Sequence, residues 1–229
     1  MRSTGLLARF KTMGFEGPFY RGARGKLRFL IESALWRREF LFLGTRDSLA
    51  TSATAGGPPL RVLEAKSFDE LERYRSQLDA DYYPGFLENW RRPFSWGESV
   101  VLALANDEVA AFAWIQRGSK TGFPTYYSRL LEDEARILRV GVVPRFRRQG
   151  INSQLMRACL QRLIGEGFGR VYAESHKYNV PSVRTFLKAG FRVDGLMSVL
   201  SVPGSGERIR WSSPSVIDSH LREIGITDR

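Results

Sequence analysis

Between residues 136 and 202 the spacing of apolar side chains changes period four times, from two residues to about 3.6 and back, twice over. Residues 136–143 alternate Ile137, Arg139 and Gly141 with Leu138, Val140 and Val142, and Pro144, which has no N–H for a ladder, ends the run. Residues 151–164 show Ile151, Leu155, Ala158/Cys159 and Arg162/Leu163 at helical spacing. A second strand follows over 170–174, then a helix over 181–189 with Pro181 in its first turn, then a third strand over 191–202. Strand-helix-strand-helix-strand in one stretch predicts a mixed α/β fold.

The flanks fit that expectation. Residues 60–65 read as a strand, and Ser67-Phe68-Asp69-Glu70 has capping-box spacing, in which Ser67 and Glu70 each satisfy a backbone donor at the start of a helix running to about Leu78. Residues 99–105 and 108–115 predict a hairpin around Asn106-Asp107, while 118–131 carry no assignable pattern. Pro203-Gly204-Ser205-Gly206 turns the chain into a last strand near 208–211. The small, breaker-rich stretch 48–59 reads as a linker, so residues 1–58 form a basic N-terminal extension, 59–213 the main domain and 214–229 a C-terminal tail with His220 in solvent. Within the extension Leu27, Leu30/Ile31 and Ala34/Leu35 recur at helical spacing, residues 39–43 predict a short strand, and the whole is expected to pack on the main domain.

Composition removes several function classes. Cys159 is the only cysteine, which excludes an intramolecular disulfide and a cysteine-rich metal site and fits a reducing, cytoplasmic location. Two histidines argue against a zinc enzyme, so no metal is expected. No stretch approaches the ~18 apolar residues of a spanning helix, because the most apolar region is cut by Glu32 and Arg37-Arg38-Glu39. The net charge of +11 is uneven: residues 1–47 carry +6, residues 48–135 carry −4, and residues 136–192 carry +10. The basic segment suits a polyanionic ligand and the acidic one a cationic partner. Arginine outnumbers lysine 29 to 6, and biased codon usage is the plainer alternative reading of the total charge.

The chemistry concentrates where the basic segment turns from strand to helix, Val142-Val143-Pro144-Arg145-Phe146-Arg147-Arg148-Gln149-Gly150-Ile151-Asn152-Ser153-Gln154-Leu155. Unpaired N–H groups of a helix's first turn and the positive end of its dipole meet at one point, and Gly150 lets backbone approach a phosphate with no Cβ in the way. Arg147 and Arg148 add charge. The stretch has neither the Walker A lysine nor the three glycines of a dinucleotide fingerprint, so by physics alone it fits any phosphorylated ligand.

Together with Asn179-Val180-Pro181-Ser182-Val183-Arg184-Thr185-Phe186-Leu187-Lys188-Ala189-Gly190-Phe191, this stretch resembles the GNAT superfamily of acetyl-CoA-dependent N-acetyltransferases. The first stretch is similar to that family's V-x-P-x-x-R-x-x-G-[IL] signature, and the resemblance covers about residues 60–212. It implies a GNAT-like mixed, mostly antiparallel sheet flanked by helices, splayed between the strands ending near Val143 and Glu174, with the helix-strand extension added at the N-terminus. It also implies acetyl-CoA, or another acyl-CoA, as co-substrate. Backbone groups of Val140 and Val142 would pair with the pantetheine arm, Arg147, Arg148, Gln149, Gly150, Ile151, Asn152 and Ser153 would hold the pyrophosphate, and Asn179 and Phe186 would complete the cofactor site. Two positions depart from the family pattern. Asn152 adds a side chain where glycine or alanine is usual, and Phe186 stands where many members carry a proton-donating tyrosine, leaving Tyr178, Ser182, water or no acid at all.

Attack by an amine requires a proton acceptor within one water of it. Glu134, on the same strand face as Arg136 and Leu138, and His176, just past the strand of Glu174, are the candidate catalytic bases, each against the plainer reading of a surface or capping side chain. Glu174 reads as structural, and Tyr126 and Tyr127 as lining for an acceptor pocket or simple packing. The expected partner is an amine acceptor, small or on a protein, with a homodimer open and no nucleic acid expected. Two alternatives stand beside the acyltransferase: a silent acyl-CoA-binding module of the same fold, and a nucleic-acid or membrane-surface binder using Leu27, Ile31 and Trp36 with Arg28, Arg37 and Arg38.

Overall fold

The computed structural model describes residues 36–45, 47, 58–118, 130–177, 179–202 and 206–226. They form two compact units, one from residues 42–174 with 184–194, the other from the described parts of 1–41, 175–183 and 195–229.

In the larger unit, strand β2 (Arg61–Ala65) lies antiparallel to β3 (Ser99–Ala105), with Arg61 opposite Leu104 and Ala65 opposite Val100. β3 is antiparallel to β4 (Glu108–Arg117), which is antiparallel to β5 (Glu134–Val142). β6 (Arg170–His176) then runs parallel to β5. The β3–β4 turn is tight because Asn106 and Asp107 both take left-handed backbone, φ 51° and 63°, the conformation a two-residue hairpin needs. Every residue of β3 is buried, because the sheet is covered on both faces. Val100, Leu102 and Leu104 pack with Phe68, Leu71, Tyr74, Leu78, Leu87 and Trp90. The alternating set Val101 and Ala103 points the opposite way. Helix α3 (Ile151–Gly165) packs on β3, β4 and β5 through buried Ile151, Leu155, Cys159 and Leu163, so of the pairs that the periodicity left open Cys159 and Leu163 take the buried side.

Between β2 and β3 the path differs from expectation. Residues Asp69–Tyr74 form a 3-10 turn, followed by helix α1 (Arg75–Asp81), and Leu87–Trp90 and helix α2 (Arg91–Ser95) add a second helical segment that the sequence reading missed. Pro93 inside α2 and Gly85 before it hid that segment from periodicity. Only half of the capping box exists: Glu70 Oε1 accepts from the backbone N–H groups of Lys66 and Ser67, but the Ser67 hydroxyl donates to the same oxygen and caps nothing.

In the smaller unit β7 (Arg192–Val202), from Gly195 onward, is antiparallel to β8 (Gly206–Trp211), with Met197 opposite Trp211. The C-terminal residues expected as a tail form helix α5 (Pro214–Glu223), whose Ile217 and Leu221 are buried with Ile224 and Ile226 beyond it, and His220 is half-buried rather than in solvent. Strand β1 (Trp36–Gly44) and helix α4 (Val180–Lys188) contribute to both units, and β1 extends the short strand expected over 39–43. The rest of the extension, the linker at 48–57, Tyr126, Tyr127 and Tyr178 lie outside the described residues. No helix among those described is long and apolar enough to cross a membrane.

Candidate functional site

The parallel register of β5 with β6 runs from Glu134 opposite Arg170 to Ile137 opposite Ala173 and, among the described residues, goes no further. At the same point the pairing of β5 with β4 slips: Trp114 lies opposite Leu138, but Phe112 lies opposite Gly141. Arg139 and Val140 thus share one partner, Ala113, which is a β-bulge, and Arg139 takes a left-handed φ of 44° to make it. The bulge reverses which peptide groups face β4. Before it, the Glu134 carbonyl accepts from Gly118 N at 2.8 Å, so that carbonyl and the backbone groups of 136 and 138 turn to β4. After it, Val143 N donates to Ala110 O at 2.9 Å, so 141 and 143 face β4 while Val140 and Val142 turn theirs to the opposite, open edge. Gly141 is required there, because a Cβ would lie 2.4 Å from Phe112 Cζ.

From this edge the chain enters the basic turn. Pro144–Phe146 form one 3-10 turn, Arg147 is extended, Arg148 is left-handed at φ 66°, and Gly150 is left-handed at φ 76° as the N-cap of α3. No side chain caps the helix and no acidic residue lies in its first turn. The first intrahelical N–H bond is from Gln154 to Gly150 O at 3.3 Å, so the amides of Ile151, Asn152 and Ser153 precede the helical ladder with the dipole unopposed. That arrangement takes an anion. Asn152 Oδ1 is buried with no hydrogen-bond partner, and a half-turn of the amide puts two N–H donors in its place, so the residue that departs from the family pattern still fits a phosphate.

Arg145 plays a different part from its two neighbours. Its guanidinium meets Asp81 Oδ1 and Oδ2 at 3.2 Å each and Glu108 Oε2 at 2.6 Å, tying the turn to α1 and to the β3–β4 hairpin, and these hydrogen bonds raise its pKa. Arg147 Nε donates to Val142 O at 3.4 Å, and Gln149 Nε2 to Arg145 O at 3.3 Å.

The profile of the Acetyltransferase (GNAT) family matches residues 62–191, more than half of the chain. The chain belongs to the GNAT acetyltransferase family. No curated protein sequence matches it. Among solved structures it is similar to a GNAT-family acetyltransferase from Colwellia psychrerythraea, at 12% identity and TM-score 0.48, covering 69% of this chain and 54% of that one. An aminoglycoside acetyltransferase from an uncultured soil metagenomic sample, in complex with sisomicin, is 18% identical, at TM-score 0.41, over 57% of this chain and 86% of that one. Another aminoglycoside acetyltransferase, in complex with coenzyme A and kanamycin, is 13% identical, at TM-score 0.48, over 70% and 98%. The chain spans about half the length of the first of these.

Within this GNAT domain the expected site residues separate into groups. Val140, Val142 and residues 147–153 are contiguous along the open edge and the turn. Glu134 stands at the paired end of β5, buried, accepting from Leu131 N at 2.9 Å and Tyr172 Oη at 3.2 Å and facing Arg170 Nη1 at 3.6 Å. Glu174 faces the fully buried Arg136 at 3.6 Å, which agrees with the structural role expected of it. His176, half-buried, ends β6 in the smaller unit. Asn179 accepts at Oδ1 from Ser182 N at 3.3 Å, an N-cap of α4. Phe186 is 2% exposed, its ring 4.8 Å from that of Phe42 and 5.5 Å from that of Phe191, so it is core.

Three side chains at the site escaped the sequence reading. Arg139 pairs with Glu98, and Tyr82 stacks on Phe86 with centroids 4.1 Å apart. Burial pushes the Tyr82 phenol up to about 12, against the opposing charge of Arg147. A visible sign was Gly141, since a glycine inside a strand marks a bulge or a close approach.

Proposed function

We propose that the protein is an N-acyltransferase that moves an acyl group, acetyl by default, from acyl-CoA directly to an amine on a small molecule or a protein. The observation that carries the reading is the bulge at Arg139 and Val140, which opens a strand edge immediately upstream of an anion-binding helix start. An open edge pairs with the amides of a pantetheine arm as a further strand would, and the amides of residues 151–153 with Gly150 receive a pyrophosphate. Arg147 and Arg148 supply countercharge. The reaction forms the amide C–N bond and breaks the thioester C–S bond. The amine nitrogen attacks the carbonyl, whose developing oxyanion a strand amide near Val140 stabilises, the thiolate departs, and the amine's proton passes to a base or water.

Phe186 gives no proton, and none is needed, because a free thiol's ordinary pKa, roughly 8.5–9, makes the thiolate a competent leaving group near neutral pH. Of the two base candidates, Glu134 is held by three neighbours at the paired end of β5, which speaks against it as the acceptor, and leaves His176 as the sequence's other candidate beside water. Phe186 and Asn152 are also the observations that favour the second reading, an acyl-CoA-binding module without turnover.

The test is isothermal titration of acetyl-CoA into the full chain and into Gly150→Glu, followed by thiol-release assays across a panel of amines. Cys159, the only cysteine, is fully buried with its thiol pushed up to about 12, so it adds no background to thiol detection. Binding by wild type and not by Gly150→Glu supports the site. Amine-dependent thiol release then selects enzyme over silent module, and absence of binding by wild type overturns both.

A further inference from the structure

Arg139 alone among the residues of β5 has positive φ, a strained conformation for a residue with a Cβ that persists only where its surroundings hold it. Its surroundings are specific. Nη2 of Arg139 pairs with Oε2 of Glu98, whose side chain is 1% exposed, and the guanidinium carbon lies 5.5 Å from the ring centroid of Trp114 and 6.0 Å from that of Trp96. Leu138 packs against the cluster that includes Trp114, and Arg139 reaches the same indole, so two successive side chains lie on one face, which a regular strand forbids. A buried carboxylate needs a countercharge, and the bulge is the backbone arrangement that lets residue 139 supply one.

We propose that Arg139 and Glu98 are positioning residues for acyl-CoA: their ion pair, seated against Trp96 and Trp114, keeps the β5 bulge formed and so keeps the peptide groups of Val140 and Val142 turned to the open edge. The ligand in this statement rests on the acyltransferase reading, whereas the bulge is measurable in the unliganded protein. Neither residue touches the reacting atoms. Their action is on the backbone, which gives the proposal a readout that packing alone does not move.

The experiment compares full-length wild type, Glu98→Gln, Arg139→Ala and the double variant Glu98→Gln with Arg139→Gly. It measures hydrogen exchange of the Val143 amide, which bonds to Ala110 O only in the shifted register, and the Kd for acetyl-CoA. Glu98→Gln and Arg139→Ala are expected to lose protection at Val143 and to weaken acetyl-CoA binding, each by about tenfold or more, the equivalent of about 1.4 kcal/mol. Glycine adopts the left-handed conformation without penalty, so the double variant is expected to stay within about threefold of wild type in both measurements. Should Arg139→Ala not fold, Glu98→Gln and the double variant carry the comparison. Unchanged protection and affinity in Glu98→Gln would overturn the proposal, as would a double variant as impaired as the single ones, since packing rather than backbone would then be what the pair supplies. A wild type that binds no acyl-CoA, with protection at Val143 still falling in Glu98→Gln, sinks the acyltransferase reading and leaves the clamp on the bulge standing.

Discussion

Replacing Gly141 with alanine tests the strand geometry with one methyl group. The new Cβ would lie 2.4, 2.7 and 3.0 Å from Cζ, Cε1 and Cε2 of Phe112, where carbon atoms normally rest about 3.5–4.0 Å apart, so the ring must withdraw by more than 1 Å, roughly. It has little room to do so. Phe112 is buried, with the rings of Trp90 at 4.7 Å and of Tyr82 and Phe86 at 6.2 Å each. Overpacking of this kind costs about 1–3 kcal/mol, and at about 2–4 °C per kcal/mol for a chain of this size the midpoint of thermal unfolding should fall by roughly 2–12 °C. Gly141 lies between Val140 and Val142, so strain relieved by shifting β5 will also weaken acetyl-CoA binding. Calorimetry with and without acetyl-CoA measures both effects. Two further variants sharpen the result. Phe112→Leu should rescue Gly141→Ala by removing the atoms it strikes, a coupling that a double-mutant cycle reads directly. Gly165→Ala, where nothing lies within 4 Å, should be neutral or stabilising by up to about 1 kcal/mol. A Gly141→Ala protein as stable as wild type, or one that Phe112→Leu leaves unrescued, would refute the account of this strand.

Three other outcomes follow from the site. Glu134→Gln should lower stability by about 1–2 kcal/mol, through the bonds to Leu131 N and Tyr172, while amine-dependent thiol release at saturating substrates changes by less than about tenfold; a much larger kinetic loss would make Glu134 the base after all. Arg145→Ala should change stability by no more than about 1 kcal/mol, because its ion pairs are partly exposed, yet weaken acetyl-CoA binding by releasing the turn from Asp81 and Glu108; equal affinity at low salt would disprove the clamp. In alkali, Tyr82 and Cys159 act with the same sign. Each is held protonated by burial up to about 12 in the folded chain, whereas the unfolded side chains release protons near their ordinary values of 10 and 9, so stability is full below pH 9 and falls as pH rises toward 12. Unfolding midpoints of wild type should therefore drop more steeply between pH 9 and 11 than those of Tyr82→Phe, and parallel slopes would contradict the burial of that phenol.

How far the sequence foretold this site depends on one inserted residue. Helix α3 was legible to within a residue, because Ile151, Leu155, Cys159 and Leu163 face one way and no tertiary contact overrides the pattern. The helical turns of residues 87–95 were not, since their helical register is broken by Pro93 and their apolar groups serve as aromatic plugs under the sheet rather than as a periodic stripe. Strand β5 is the instructive case. Read as strict alternation from residue 136 to 143, the strand would send the peptide groups of Val140 and Val142 the same way as those of Arg136 and Leu138, toward β4, where they would pair with that strand and be closed to a ligand. The family resemblance asks for the opposite orientation at those two valines. Both cannot hold in a regular strand, and the contradiction disappears only if one residue is added between Leu138 and Gly141. Arg139 is that residue, and its charge is what allows the insertion, because the carboxylate of Glu98 waits beneath it. A glycine at 141 and an arginine among alternating valines were thus two marks of a single feature, legible once the direction of the peptide groups, and not only of the side chains, is followed along the strand.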